Sequence, residues 1–377
     1  MKRFKPFFFG LLAFIVPLAV LLGCLEIIFR HLDLRNAREF PNYAVNGTYT
    51  PVKIKSNHRG IVAGIPVSTN RNGLRDEPDF EPVPPPNEFR ILSMGDSIAF
   101  GLGIKSHDSY AKVLERRLNE NEGSSHYYVI NSAGPGYSPS SYYLFLRNEG
   151  LQWQPRAVLI EIELTNDVTD EALLRWEVDP ARPDRPKVLR GGRYVVAWDG
   201  MLLSAYIRGP YFYEKTYTYV ELSRRTLDLL YRLSSTKPFP ADPSVTYYTL
   251  GYEWYLLSQK RIESGWTRMF GALQATNELL RQRGVSFLLM IMPSRFVFER
   301  ASERQQNRFA QGLVNRAAEF ARQHAIPYLD FTETIAAAGG EELFLDTVHL
   351  NEKGNLAVGS ALFEHLKTRI VPTMPLR

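Results

Sequence analysis

From residue 88 onward the chain alternates near-continuous apolar, β-rich runs with amphipathic helical stretches, and that alternation restricts it to one broad architecture. The runs fall at 90–94, 128–130, 158–162 and 287–291, with a weaker fifth at 327–329. Helical periodicity covers 110–118, 267–283, 308–323 and 356–368 between and after them. Strands that are apolar on both sides cannot face water, so they belong in a parallel sheet covered by helices on both faces. The expectation is an α/β, doubly wound parallel sheet. The third and fourth runs are separated by more than a hundred residues, far more than one crossover helix needs, so an insertion is expected at about 171–255. Sixteen of those 85 residues are Trp, Tyr or Phe, including Tyr211-Phe212-Tyr213, Tyr247-Tyr248 and Trp254-Tyr255, against 12% in the whole chain.

Residues 1–88 read differently. No charge occurs from residue 7 to residue 25, and Lys2, Arg3 and Lys5 precede that run. A helix of that length can cross about 30 Å of hydrocarbon, and a basic N-terminal flank keeps the first residues cytoplasmic. Residues 1–30 are therefore expected to form a transmembrane anchor, with the rest of the chain extracytoplasmic. Leu21-Leu22-Gly23-Cys24 loosely resembles a lipoprotein cleavage box, and a signal peptide is the other alternative. Apolar character continues through Ile27, Ile28 and Phe29, where a processed lipoprotein would usually turn polar. Residues 31–88 are polar, punctuated by Asn70, Asn72 and Gly73 and stiffened by Pro82-Val83-Pro84-Pro85-Pro86. They are expected to be an irregular stalk and an arm lying on the domain that fills 89–377.

Charge narrows the partner. The formal net charge is +5, but Lys2, Arg3, Lys5 and Arg30 against Glu26 give +3 in residues 1–30, leaving 5 − 3 = +2 for the other 347 residues. That is no nucleic-acid footprint. Cys24 is the single cysteine, and His31, His58, His107, His126, His324 and His365 lack ligand spacing. No metal and no cofactor are expected.

In an open parallel sheet ligands bind beyond the C-terminal ends of the strands. The first run ends in Gly95-Asp96-Ser97, the second in Asn131-Ser132-Ala133-Gly134-Pro135-Gly136 and the third in Thr165-Asn166-Asp167. After the fifth comes Asp346-Thr347-Val348-His349. A serine hydroxyl is a poor nucleophile until a base takes its proton, and the base works best when a carboxylate fixes its tautomer. Ser97, His349 and Asp346 can fill those roles, with the Ser97 N–H, the Gly136 N–H and the Asn166 amide as donors to a tetrahedral oxyanion. Taken singly, each piece has an ordinary explanation as a turn, a helix cap or a surface histidine. Their joint placement at successive strand ends favours catalysis. Two rival motifs fail: Ile104 stands where a phosphate loop needs glycine before Lys105-Ser106, and Ala99 replaces the second glycine of Gly-x-Ser-x-Gly.

These four ordered blocks resemble those of the SGNH, or GDSL, hydrolases, over roughly 89–170 and 280–370. The resemblance implies a flavodoxin-like sheet, Ser97 as nucleophile, His349 as base, Asp346 as its orienter, and Ser97, Gly136 and Asn166 as oxyanion hole. The third block usually reads Gly-x-Asn-Asp, and here Leu164 replaces the glycine. The anchor with Glu26 and Arg30, and the arm from Asn70 to Arg75, are similar to membrane-tethered bacterial members. The expected function is an extracytoplasmic serine acyl-ester hydrolase or O-acyltransferase, periplasmic or at the cell surface. Because aromatic rings stack on sugars, an acylated cell-envelope or exported glycan is the expected substrate. A non-catalytic glycan-binding or polysaccharide-assembly protein and a lipid esterase or thioesterase are the alternatives.

Overall fold

The computed structural model describes residues 4–31, 44–46, 49–50, 52–62, 65–120, 126–173, 175–191, 194–197, 201–205, 259–298 and 304–369. Its centre is a five-stranded sheet formed by β1 (Glu88–Met94), β2 (His126–Asn131), β3 (Ala157–Glu163), β4 (Ser286–Met292) and β5 (Tyr328–Asp330). The spatial order is β2-β1-β3-β4-β5, and every neighbouring pair is parallel. This is the flavodoxin-like order, with its topological switch between β1 and β3. All five expected strands are present, each displaced by at most a few residues at its ends.

Alternation along the strands explains why both faces are covered. Val158, Ile160 and Ile162 of β3 join Leu289 and Ile291 of β4 in one buried cluster. Ala157 and Leu159 join Leu288, Met290 and Met292 in the other. The first cluster is closed by α4 (Pro139–Asn148), α5 (Asp167–Leu173), α6 (Gln259–Arg283) and α7 (Arg304–Gln323), through Tyr142, Val168, Trp266 and Val314. The second is closed by α2 (Ser97–Phe100), α3 (Tyr110–Leu118), α8 (Thr332–Ala338) and α9 (Glu352–Arg369), through Phe100, Leu114, Ile335 and Leu362. Burying each such side chain contributes about 1.5–3 kcal/mol. The helices α6, α7 and α9 begin before the expected residues. In α6 the added turns are used, since Ile262 and Trp266 are buried there. Helix α4 was not anticipated at all.

The arm also differs from expectation. Residues 31–88 contain two short antiparallel pairs, Ala44–Asn46 with Val52–Ile54 and Arg59–Val62 with Ile65–Ser68. Ile61, Val62, Ile65 and Val67 are β-branched, and Val62 and Val67 are buried in the second cluster. Within the insertion, Arg175–Asp179 pairs with Arg182–Gly191 and Tyr194–Ala197 with Met201–Ala205, both antiparallel. The aromatic groups at 211–213, 247–248 and 254–255 lie outside the described residues.

The N-terminal element is helix α1 (Phe4–His31). Its described side chains include exposed Phe14, Ile15, Val16, Val20, Leu21 and Ile27, and Cys24 is exposed and free. Among the described residues no helix is long and apolar enough to cross a membrane. The anchor expected at 7–25 includes residues 7–9, 11 and 12, whose side chains lie outside the description.

Two helix glycines give opposite expectations for the same substitution. Removing glycine from a helix interior ordinarily stabilises by about 0.5–1 kcal/mol. Gly312 in α7 has open space where a Cβ would go, whereas a Cβ on Gly265 would sit 2.2 Å from the Val168 carbonyl oxygen of α5. Gly312→Ala should therefore raise Tm. Gly265→Ala should lower it, because overpacking that costs about 1–3 kcal/mol exceeds the propensity gain. Thermal unfolding of both variants checks the sign.

Candidate active site

The nucleophile candidate is placed by a tight strand-to-helix turn. Ser97 begins α2 immediately after β1, and the Asp96 carboxylate caps that helix by accepting from Ile98 N at 2.7 Å. Gly95 lets the turn approach β3: a Cβ there would lie 2.5 Å from both the Ala99 Cβ and Glu161 Oε2. The ends of β1 and β2 are joined by Ser132 N to Ser93 O at 2.9 Å and Gly134 N to Gly95 O at 3.2 Å. Two residues further on, Gly136 has φ +74°, a left-handed conformation that side chains resist.

His349 arrives from the far end of the chain. Phe344 and Leu350 form an antiparallel bridge, and Leu345 N donates to His349 O at 2.8 Å. This closes Asp346–His349 into a short loop. Asn355 in α9 accepts from Tyr110 N of α3 at 2.9 Å, fixing the loop's helix beside the one that follows Ser97. The result is a contact across 252 residues of sequence: His349 Nε2 lies 2.8 Å from Ser97 Oγ. On the other side of the ring His349 Nδ1 is 2.6 Å from Asp346 Oδ2, while Asp346 Oδ1 accepts from Val348 N at 2.9 Å and His349 N at 2.8 Å.

An ionised carboxylate only accepts, so Nδ1 carries the proton and Nε2 is left to accept from Ser97. Burial disfavours charge on both partners, but the mutual hydrogen bond and attraction outweigh it. Asp346 is held below its ordinary range and His349 is raised above its own, with Asp96 and Glu163 adding to the rise. The arrangement is that of a hydroxyl whose proton can move to a ring held in one tautomer.

Asn166 is fixed by two carboxylates, Asp96 of the first block and Glu163, which belongs to none of the four blocks. Its Nδ2 donates to Asp96 Oδ2 at 2.8 Å, so the side chain is bound to the residue preceding Ser97. Its Oδ1 is buried and, among the described residues, accepts nothing, so the side chain is not capping α5. The Asn166 carbonyl instead accepts from Asp170 N at 2.7 Å. Glu163 braces the turn, its Oε2 accepting from Thr165 N at 3.0 Å, Thr165 Oγ1 at 2.5 Å and Asn166 N at 3.2 Å. Leu164, where the resemblance expects glycine, turns into the first core cluster and is 2% exposed. The sequence signal for this brace was two glutamates, at 161 and 163, in an otherwise apolar strand. Burial pushes Glu163 up to about 8 against the opposing hydrogen bonds from Thr165 and Asn166. Burial, then the charges of Asp96 and Glu163, push Glu161 well above the carboxylate range.

Thus Ser97, His349 and Asp346 are in contact, Asn166 is tied to Asp96, and the Gly136 turn is paired to the Gly95 turn. Among the described residues no group of His, Cys, Asp and Glu is arranged to hold a metal.

The profile of the GDSL-like Lipase/Acylhydrolase family matches residues 93–357, and the chain belongs to that family. No curated protein matches the sequence. Similar solved structures include a GDSL-like lipase from Bacteroides thetaiotaomicron, at 12% identity over 74% of this chain and 89% of that one, TM-score 0.36. An acetylxylan esterase from Geobacillus stearothermophilus is 12% identical over 74% of this chain and 94% of its own, TM-score 0.41. A two-domain esterase active on acetylated mannans is 12% identical over 74% of this chain and 49% of its own, TM-score 0.39.

Because protonated His349 cannot take the serine proton, ester turnover should fall as pH drops through the raised pKa of His349, above the ordinary 6.5. Asp346→Asn removes the largest of the interactions that raise it. That variant should shift the acid limb of the kcat/KM profile to lower pH and cut kcat by about 10⁴-fold through the wrong tautomer. A pH–rate series on both proteins measures the shift, and an unmoved limb would assign it to another group.

Proposed function

We propose that this member of the GDSL-like lipase/acylhydrolase family is a serine acyl-ester hydrolase or O-acyltransferase, tethered to a membrane and acting outside the cytoplasm on an acylated glycan. The observation that carries the chemistry is the continuous relay from Ser97 Oγ through His349 to Asp346, at 2.8 and 2.6 Å. Ser97 Oγ attacks the ester carbonyl carbon as its proton passes to His349 Nε2. The carbonyl oxygen becomes an oxyanion held by the N–H groups of Ser97 and Gly136 and by Asn166. An amide nitrogen has two hydrogens, and one of Asn166's is used by Asp96, which aims the other. As the intermediate collapses, the imidazolium returns its proton to the leaving alkoxide and the acyl group stays on Ser97. Water or a sugar hydroxyl, deprotonated by His349, then takes the acyl group and restores the serine.

The glycan reading rests on the aromatic richness of 171–255. Trp176, one of the sixteen, packs against the cluster of Tyr143, Leu144 and Ala272 and supports the insertion from within. The membrane reading rests on the charge-free run 7–25, its basic flank, and the exposed apolar side chains of α1.

Three experiments test this. A fluorophosphonate probe should label the protein at Ser97, and Ser97→Ala should abolish both labelling and acetyl-ester turnover. Asn166→Ala should lower kcat by about 10²–10³ with little change in KM, since its donor is engaged chiefly in the transition state. Absence of labelling in the intact protein would favour the non-catalytic glycan-binding alternative. For location, an export-dependent phosphatase fused after residue 60 should be active. A silent phosphatase with an active cytoplasmic reporter at the same point would reverse the topology.

A further inference from the structure

Asn70, Asn72 and Gly73 punctuate the polar stalk, yet the segment from Asn70 to Asp76 carries some of the most buried polar side chains of the protein. Arg75 is 1% exposed and Asp76 4%. Burying a charge is costly unless its hydrogen bonds are made, and here they are directed at the C-terminal end of the Ser97 helix and at the end of β2. The Arg75 guanidinium donates to Phe100 O at 2.7 Å, Gly101 O at 2.5 Å and Ile104 O at 2.6 Å. These are carbonyls at the C-terminal end of α2 and just past it, the helix whose first residue is Ser97. The guanidinium also lies 4.8 Å from the centre of the Phe100 ring. Asp76 Oδ2 accepts from Asn131 N at 3.0 Å, at the end of β2, and Lys112 Nζ neutralises the same carboxylate at 2.6 Å. Asn131 then returns to the nucleophile helix, its Nδ2 donating to Ala99 O at 3.0 Å.

The remaining residues of the segment aim this pair. Asn70 Oδ1 accepts from Leu74 N at 2.9 Å and its Nδ2 donates to Pro78 O at 2.7 Å. Asn72 exchanges two hydrogen bonds with the backbone of Phe80, at 3.1 and 2.8 Å. Gly73 has φ +77°, and a Cβ there would lie 2.8 Å from Ile54 O. A loop braced this fully does not act as a passive tether.

We propose that Arg75 and Asp76 are positioning residues for the esterase reaction. As an adjacent pair they clip the Ser97 helix to the end of β2, fixing the Ser97 and Gly136 N–H groups relative to one another. The catalytic unit therefore includes the arm, and the chain between α1 and β1 supplies part of the active-site framework. This rests on the reading of Ser97 as nucleophile.

The test uses the full chain with p-nitrophenyl acetate, counting competent sites by end-point fluorophosphonate titration. Arg75→Lys keeps the charge but cannot span three carbonyls. It should retain a full titre and nearly unchanged KM while turnover per titrated site falls roughly 10- to 100-fold, the scale expected of a misplacement near 1 Å. Millimolar methylguanidinium should restore part of the turnover of Arg75→Ala. If the Arg75 variants yield no folded protein, Asn131→Ser removes the return bond to Ala99 and should show the same loss per site. Normal turnover per titrated site in a folded variant, with only titre or Tm reduced, would overturn the inference. Ser97→Ala separates the two readings. If it stays active, the nucleophile assignment fails; if it is dead while Arg75→Lys turns over normally, only the clip fails.

Discussion

Parallel pairing is the constraint on which everything else in this protein depends. Two parallel neighbours cannot be joined by a turn, so each strand must be followed by a crossover, and all strand C-termini emerge along one edge. With β1 between β2 and β3, the turns after these three strands are brought side by side. Gly95-Asp96-Ser97, the Gly134–Gly136 turn and Thr165-Asn166 then lie together at one edge of the sheet. The β5 side returns through α8 and a short loop to place His349 over the same edge. The crossovers also cover both sheet faces, so the architecture that gathers the site is the one that buries the core.

Carboxyl groups are packed beneath these turns, and each is costly to bury. Asp96, Glu161, Glu163 and Asp167 are each at most 1% exposed. A buried acid can avoid the cost of charge by keeping its proton, and burial moves Glu161, Glu163 and Asp167 in that direction. What the arrangement secures is geometry: Glu163 gathers the turn before Asn166, and Asp96 caps the Ser97 helix while holding the Asn166 amide. With its backbone N–H held by Glu163 and its amide nitrogen by Asp96, Asn166 has little freedom left to lose. The apolar burial that stabilises the fold lies in the two clusters beside these groups, where Trp266, Phe100 and the strand aliphatics are fully buried.

The sheet strands were legible because near-continuous apolar runs of four to eight residues, flanked by turn residues, have few other solutions. Helix α4 was missed for an identifiable reason. Its Pro139-Ser140-Ser141 opening reads as loop, while its stability comes from Glu171, whose carboxylate accepts from Ser138 Oγ, Ser140 N and Ser140 Oγ at 2.7–2.8 Å. The two antiparallel pairs of the arm were missed because strands of three or four residues carry too little pattern to stand out. Leu164 was the local departure from the family block, and the structure resolves it simply: the side chain fills the core, and Glu163 supplies the bracing of the turn.

The sequence by itself determined the sheet and its parallel sense, and it singled out Ser97, His349, Asp346, Gly136 and Asn166 as site candidates, because residue type and strand-end position are local properties. Only the tertiary structure decided that Ser97 and His349 touch, that Asp96 holds Asn166, and that Arg75 reaches the carbonyls at the end of the helix that Ser97 begins. Those are contacts between residues separated by 252, 70 and 25–29 positions. Their geometry follows from strand order and helix packing, which leave no periodic trace in the chain. A buried arginine or asparagine reads in sequence like an exposed one, and its partners become visible only when folding has removed the water that would otherwise satisfy it.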